Sequence, residues 1–206
     1  MGFMVPKDSS VECIDDKFFS HTKSINNFFS THYYFRNTLM IISSLLIDIY
    51  IIASFANFVL FSKGVKFLAS LFVFYIMLIF IRRIFYNAIP DNFQFNFPGF
   101  PSIFVPYYKT SSFYYSPTIG ILVLCCLEWD RSKNMRKIML WTGIGLVIFE
   151  SLFMVTLRKH FVADIFTSIY LPHFIYIISE RYADHLIYDV VLKRNKDSPK
   201  TQTQNS

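Results

Sequence analysis

Long apolar runs alternate with shorter polar segments along this chain of 206 residues. Each run has about the 20 residues that an α-helix needs to cross the hydrocarbon core of a membrane. Hydrophobic residues make up 53% of the chain, a share that soluble domains rarely combine with several such runs. The pattern predicts an all-α integral membrane protein with about five transmembrane helices, over Thr38–Phe61, Val65–Ile81, Phe113–Trp129, Ile138–Leu157 and Phe161–Ser179.

The segments outside these runs divide the chain into three parts. Residues 1–37 are polar at first and then carry an aromatic cluster, Ser24–Arg36, which predicts a short helix lying in the membrane interface. Residues 38–180 form the multi-pass transmembrane domain, and residues 181–206 form a polar tail. Between the second and third runs, the density of proline in Asn87–Ser112 precludes a regular helix and predicts a packed interfacial loop.

Composition and charge narrow the classes of partner. The net charge of +6 lies mostly in short loops and in the tail, where basic residues set membrane topology and contact anionic headgroups. The positive-inside rule places the loops after the first and third helices, and the tail, on the cytosolic side or its equivalent. The chain has no nucleic-acid-binding pattern, and its three cysteines have neither metal-ligand nor disulfide spacing. Membrane phospholipids are therefore the expected partners, with no metal and no cofactor.

Two acidic residues, Asp48 and Glu150, lie inside apolar runs. An ionisable side chain within a membrane is costly, and such residues often mark a functional site. Taken as functional, the two acids would indicate a transporter or a channel. The alternative is structural, with each carboxyl group protonated or hydrogen-bonded between helices.

The junction between the fourth and fifth runs carries a distinctive pair of side chains. His160 and Asp164 are four residues apart, so they share one face of a helix. An aspartate in this position accepts a hydrogen bond from one imidazole nitrogen and leaves the other nitrogen basic. The alternative is a polar helix start at the membrane surface, with Arg158 and Lys159 extending to the headgroups.

Three segments fall on one face of the membrane in the predicted topology. Their distinctive residues are Arg82 or Arg83 followed by Ile89-Pro90 and Pro98-Gly99, then Ser116, and then His160 with Asp164. As an ordered set over about residues 65–180, they resemble the conserved segments of the PAP2-like lipid phosphatase/phosphotransferase superfamily. The likeness is closest to its branch of sphingomyelin synthases and phosphatidylcholine–diacylglycerol cholinephosphotransferases.

This resemblance implies a PAP2-like helical bundle and a role for each matching residue. His160 would be the nucleophile, and Asp164 would orient its imidazole. Arg82, Arg83 and Arg158 would bind the phosphate or the lipid headgroup.

The second segment departs from the family pattern. The family has Ser-Gly-His where this chain has Ser116-Pro117-Thr118, and its chemistry uses a second histidine to protonate the leaving alkoxide. A threonine hydroxyl does not titrate near neutrality, and the loss of a general acid costs about 10²–10⁴-fold in rate. Pro117 also lacks the N–H group and the free φ angle of glycine. A fold-back of the N-terminal segment would leave His21 or His32 as an alternative acid.

Three hypotheses for function follow. The first is a non-catalytic protein of this fold, a structural or lipid-binding accessory subunit of a larger complex in the mitochondrial inner membrane or an endomembrane. Its vestigial site would consist of His160, Asp164, Ser116 and Thr118. The second is an active enzyme that transfers a phosphocholine-type headgroup or hydrolyses a lipid phosphate, with the histidine as nucleophile. The third is a transporter or channel built on the two intramembrane acids. The altered second segment favours the first hypothesis.

Overall fold

The structure, a computed structural model of the chain, describes residues 17–61, 65–84, 102–105, 115–131, 136–157 and 159–186. Regular structure within these ranges is entirely α-helical. The helices are α1 (Lys17–His21), α2 (Lys23–Thr31), α3 (Tyr33–Phe61), α4 (Val65–Ile84), α5 (Pro117–Arg131), α6 (Arg136–Thr156) and α7 (Val162–Leu186).

Three described helices are long and apolar enough to cross a membrane. The stretches are Tyr33–Phe58 in α3, Lys137–Thr156 in α6 and Val162–Tyr182 in α7. The apolar stretch of α4 is shorter, Phe67–Phe80, and the 15 residues of α5 extend over about 22 Å. The prediction of a membrane-embedded helical protein is therefore confirmed, and three of the described helices are long enough to span a membrane.

A described helix covers most of each predicted apolar run and extends beyond it at one end or the other. α5 begins at Pro117 rather than at Phe113, because proline suits the first helical position, where its missing N–H has no helical partner. The interfacial helix predicted over Ser24–Arg36 is interrupted at His32, which separates α2 from α3.

α5 is the central helix of the described bundle and contacts α3, α4, α6 and α7. Its side chains Ile119, Leu122 and Leu124 are completely buried. A helix that is buried on several faces is expected to be apolar all round, and residues 119–127 are uninterrupted by charge. The core of the protein therefore forms around α5.

α5 runs parallel to α7, and α3 runs antiparallel to α6. The hydrogen-bonded pairs that show this are Ser116–Ser168 and Glu128–Tyr176 for the first two helices, and Ser43–Glu150 and Tyr50–Met139 for the second two. α4 packs Phe67 against Phe58 near the end of α3, and Phe74 against Tyr115 just before α5. The starts of α3, α5 and α7 and the ends of α4 and α6 therefore share one end of the bundle, called the His160 end below.

α2 packs across the His160 end. The side-chain amide of Asn26 donates a hydrogen bond to the carbonyl of Thr156 at 2.7 Å, and the ring of Phe29 packs edge-on against Phe153. Phe28, on the outer side of α2, is exposed. One buried face and one exposed aromatic face suit a helix in the membrane interface.

We expect Gly120→Ala to destabilise the bundle. A Cβ at this position would meet the hydroxyl of Tyr115 and would lie 2.6 Å from the ring of Phe74. Overpacking of this kind costs about 1–3 kcal/mol. The measurement is thermal unfolding in detergent, with Gly145→Ala as the control, because a Cβ at Gly145 meets nothing within 4 Å. An unchanged melting temperature in Gly120→Ala would show that α4 and α5 are not packed this closely.

Candidate functional site

His160 lies in the turn between α6 and α7, and Asp164 lies in the first turn of α7. Nδ1 of His160 is 3.5 Å from Oδ2 of Asp164, and both residues are buried. The same Oδ2 accepts the backbone N–H of Phe161 at 3.0 Å, as an acidic side chain in the first turn of a helix commonly does. The structure thus brings the predicted pair together, and its carboxylate also holds the start of α7.

Burial lowers the pKa of two basic side chains in this turn, His160 and Lys159. Burial lowers the pKa of His160 below its ordinary value. The neighbouring Asp164 raises this pKa in part, and the charge of Lys159 lowers it further. Burial also lowers the pKa of Lys159 to about 8, against the opposing effect of Glu150. The imidazole is therefore neutral at pH 7, which leaves it able to act as a nucleophile or as a hydrogen-bonding ligand group.

Ser116 reaches the same region through α7. Its backbone N–H donates to Oγ of Ser168 at 2.6 Å, and that hydroxyl donates to the backbone carbonyl of Asp164 at 2.6 Å. Ser168 thus joins the start of α5 to the first turn of α7. The sequence-based prediction of the site did not include Ser168, although this residue lies four positions after Asp164 and therefore on the same face of the helix.

Thr118 has a structural partner. Its hydroxyl donates a hydrogen bond to the backbone carbonyl of Phe104 at 2.8 Å. Phe104 belongs to residues 102–105, the described part of the proline-rich segment. The side chain that stands where the resemblance requires a second histidine therefore anchors a loop to the start of α5.

Asp48 anchors the same loop from α3. Its carboxylate accepts the hydroxyl of Ser102 at 3.0 Å and the backbone N–H groups of Ile103 and Phe104, each at 3.1 Å. The N–H of Val105 in turn donates to Oγ of Ser102 at 2.9 Å. These bonds satisfy polar groups that would otherwise be costly to bury.

Residues 102–105 are the described part of Asn87–Ser112, the segment that the sequence predicts to be a packed interfacial loop. Asp48 is 8% exposed and lies within the apolar stretch of α3, and in the loop that covers it Val105 is buried whereas Ile103 is 73% exposed. The N–H groups of Ile103, Phe104 and Val105 have no helical partners, and hydrogen bonds to the side chains of Asp48 and Ser102 satisfy them. The remainder of Asn87–Ser112 lies outside the described residues.

Glu150 belongs to a different cluster. It is completely buried in α6, and Oγ of Ser43 in α3 donates to its Oε2 at 3.4 Å. Its charge also acts on Lys159 in the turn before α7. Asp48 and Glu150 therefore have separate surroundings, and each carboxylate has polar partners from another part of the fold.

Several predicted residues are not placed in the site. The backbones of Arg82 and Arg83 form part of the last turn of α4, at the His160 end, but their side chains and the whole of Arg158 lie outside the described part of the structure. His21 and His32, the alternative acids, are exposed. The ring of His32 stacks on Phe28, with Nδ1 hydrogen-bonded to that residue's carbonyl at 3.1 Å.

Comparison of the chain with family models, curated proteins and solved structures returned no match. Within the described ranges, no group of three His, Cys, Asp or Glu side chains is placed to hold a metal ion.

We expect Asp48→Asn to destabilise the protein by about 1.5–3 kcal/mol, the usual contribution of a hydrogen bond to a charged group. An amide keeps only one acceptor oxygen and turns an NH₂ group toward backbone donors. Thermal unfolding in detergent measures the effect. Ser102→Ala keeps both backbone N–H bonds to Asp48 but removes the hydroxyl that bonds to Asp48 and accepts the N–H of Val105, so this second variant should also lose stability. Equal stability of Asp48→Asn and the wild type would show that the loop does not depend on this carboxylate.

The pH dependence of stability tests the burial of His160. Because folding lowers its pKa below the ordinary value of about 6.5, the unfolded chain binds more protons just below that pH. Stability from this residue is therefore present above about pH 6.5 and decreases as the pH falls toward 5.

We expect the melting temperature to drop less between pH 7 and pH 5 in His160→Gln than in the wild type. His32→Gln, at an exposed position, is the control and should keep the wild-type slope. Parallel slopes in all three proteins would contradict the burial of a neutral imidazole at position 160.

Proposed function

We propose that the protein is a non-catalytic membrane protein that binds phospholipid and serves as an accessory subunit of a larger membrane complex. In this proposal its helical bundle is similar to that of the lipid phosphatases and phosphotransferases. The observation that carries the proposal is the hydrogen bond from Thr118 to the carbonyl of Phe104. In the resembled family this position carries the second histidine, whereas here Thr118 holds a loop by a hydrogen bond.

The chemistry of the resembled family needs two proton-handling groups. A first histidine attacks phosphorus while the bond to the leaving alkoxide breaks, and a second histidine gives that alkoxide a proton. His160, neutral and beside Asp164, suits the first role. Thr118 and Pro117 supply no acid for the second, and loss of such an acid costs about 10²–10⁴-fold in rate. The site therefore favours binding over turnover.

The polar atoms at the His160 end suit a bound phosphate. Oγ of Ser116 is buried and has no hydrogen-bond partner in the described structure. The starts of α5 and α7 both lie here, and helix N-termini carry a partial positive charge that favours anions. The half-buried Lys159 adds a cation. The headgroup phosphate of a phospholipid is the anion that a membrane supplies at this depth.

In the proposed topology, the helices α3 to α7 cross the membrane five times. The directions of α3 to α7 alternate as five successive crossings require, since α3 is antiparallel to α6 and α5 is parallel to α7. The short helix α5 is enclosed by its neighbours, so its ends meet protein rather than hydrocarbon. The basic loops then lie on the side opposite His160.

A separate observation favours a protein partner. His173 is exposed on α7, at the centre of the apolar stretch Val162–Tyr182, beside the exposed side chains of Tyr170 and Phe174. An ionisable residue in a transmembrane helix almost always faces protein or a water-filled cavity, because hydrocarbon offers it no hydrogen bond. A polar group on a neighbouring transmembrane helix would satisfy it.

The second candidate is an active lipid phosphotransferase or phosphatase, favoured by the intact His160–Asp164 pair. Labelled phospholipid separates the two proposals. We expect the purified protein to form no phospho-histidine, and Pro117→Gly combined with Thr118→His to gain turnover. Labelling of the wild-type protein that disappears in His160→Ala would instead establish the enzyme.

The native mass of the endogenous protein tests the accessory role. Extraction in mild detergent from mitochondrial and endomembrane fractions should yield a complex with partners in fixed stoichiometry. We expect His173→Leu to weaken this complex, and His21→Leu, outside the membrane spans, to leave it intact. A lone monomer from every fraction would contradict the accessory role.

A further inference from the structure

α3 and α4 enclose an apolar cavity that the His160 end does not use. The two helices meet near their connection, where the rings of Phe58 and Phe67 are 4.8 Å apart. Beyond this contact, a cavity of about 600 Å³ lies between them. Leu71 and Ile121 are buried at its floor, and Ile52 and Phe72 are exposed at its mouth.

We propose that this cavity binds one acyl chain of a membrane phospholipid. Its lining consists of apolar and aromatic side chains, including Leu68 and Tyr75, and its volume is within the range of about 300–1,000 Å³ that ligand pockets occupy. An apolar cavity is unfavourable for water. Its mouth opens on the apolar stretch of α3, at the depth of the hydrocarbon core, so an acyl chain reaches it without leaving the bilayer.

Packing gives the bound chain its specificity. Acyl chains outside the cavity are as apolar as the side chains that line it, so transfer from water contributes nothing to selection. Close contact with the enclosing walls does contribute, because an unfilled void loses the dispersion contacts of the atoms that surround it. The floor at Leu71 and Ile121 provides contacts that the bilayer does not.

Phe104 connects this cavity to the polar network. The residue lines the cavity, its backbone N–H donates to Asp48, and its carbonyl accepts the hydroxyl of Thr118. A chain that fills the cavity therefore supports the loop that fixes the start of α5. The acyl-chain site and the phosphate site are separate, so the proposed phosphate binding can fail while this one stands.

The test uses delipidated protein in detergent and phosphatidylcholine with a photoreactive diazirine at the end of one acyl chain. We expect saturable labelling of peptides from α3 and α4 in the wild type. Ala56 lines the cavity and is exposed at its mouth, whereas Ala53 is exposed on the same helix and is not part of the lining. Ala56→Trp should reduce labelling at least about tenfold, and Ala53→Trp should keep it.

Three outcomes would overturn the proposal. They are equal labelling in both variants, labelling that does not saturate, and labelling spread over the outer faces of α6 and α7. Competition by free fatty acid but not by unlabelled phosphatidylcholine would also reject a phospholipid as the occupant. If Ala56→Trp fails to fold, two other measurements test the proposal. Labelling of Ala56→Leu should fall below that of the wild type, and labelling of the wild type should saturate. None of these outcomes depends on His160.

Discussion

The arrangement of this bundle depends on a carboxylate buried inside an apolar helix. Asp48 accepts two backbone N–H groups and one hydroxyl from residues 102–105. Without the loop, the carboxylate would lack these partners within an apolar helix, and without Asp48 the N–H groups of Ile103 and Phe104 would lose their acceptor. Each therefore stabilises the other, and together they hold a non-helical segment against the apolar helix α3.

A continuous set of hydrogen bonds carries this constraint to the His160 end. The loop carbonyl of Phe104 holds Thr118 in the first turn of α5, and Ser168 holds the residue before that turn against α7. Ser168 in turn bonds the carbonyl of Asp164, whose carboxylate lies beside His160. The position of the two helix starts relative to each other thus depends on a contact made in the middle of α3.

The same bonds bear on function. The proposed function is that a PAP2-like fold is kept while its chemistry is lost, which is physically reasonable because function depends on a few side chains rather than on the bundle. In that proposal, the hydroxyl of Thr118, which bonds to the loop, occupies the position of the proton donor of the resembled family. The buried hydroxyl of Ser116 has no partner in the described structure, which suits the bound anion of the proposal. Phe104 lines the apolar cavity and bonds to Thr118 at the start of α5, so the proposed phosphate site and the proposed acyl-chain site would be joined through this residue.

The sequence by itself determined the helices, the membrane class and the pairing of His160 with Asp164. Each depends on apolar periodicity or on an i, i+4 spacing, which are properties of one helix and its neighbours in the chain. Only the tertiary structure decided that Asp48 holds residues 102–105, that Thr118 bonds to Phe104 and that α3 and α4 leave a cavity between them. These contacts join residues from different elements. The periodicity of a helix predicts which of its faces is apolar, but it does not predict which other element packs against that face. The partner is chosen by packing and by the need to satisfy buried polar groups, and that balance exists only in the folded chain.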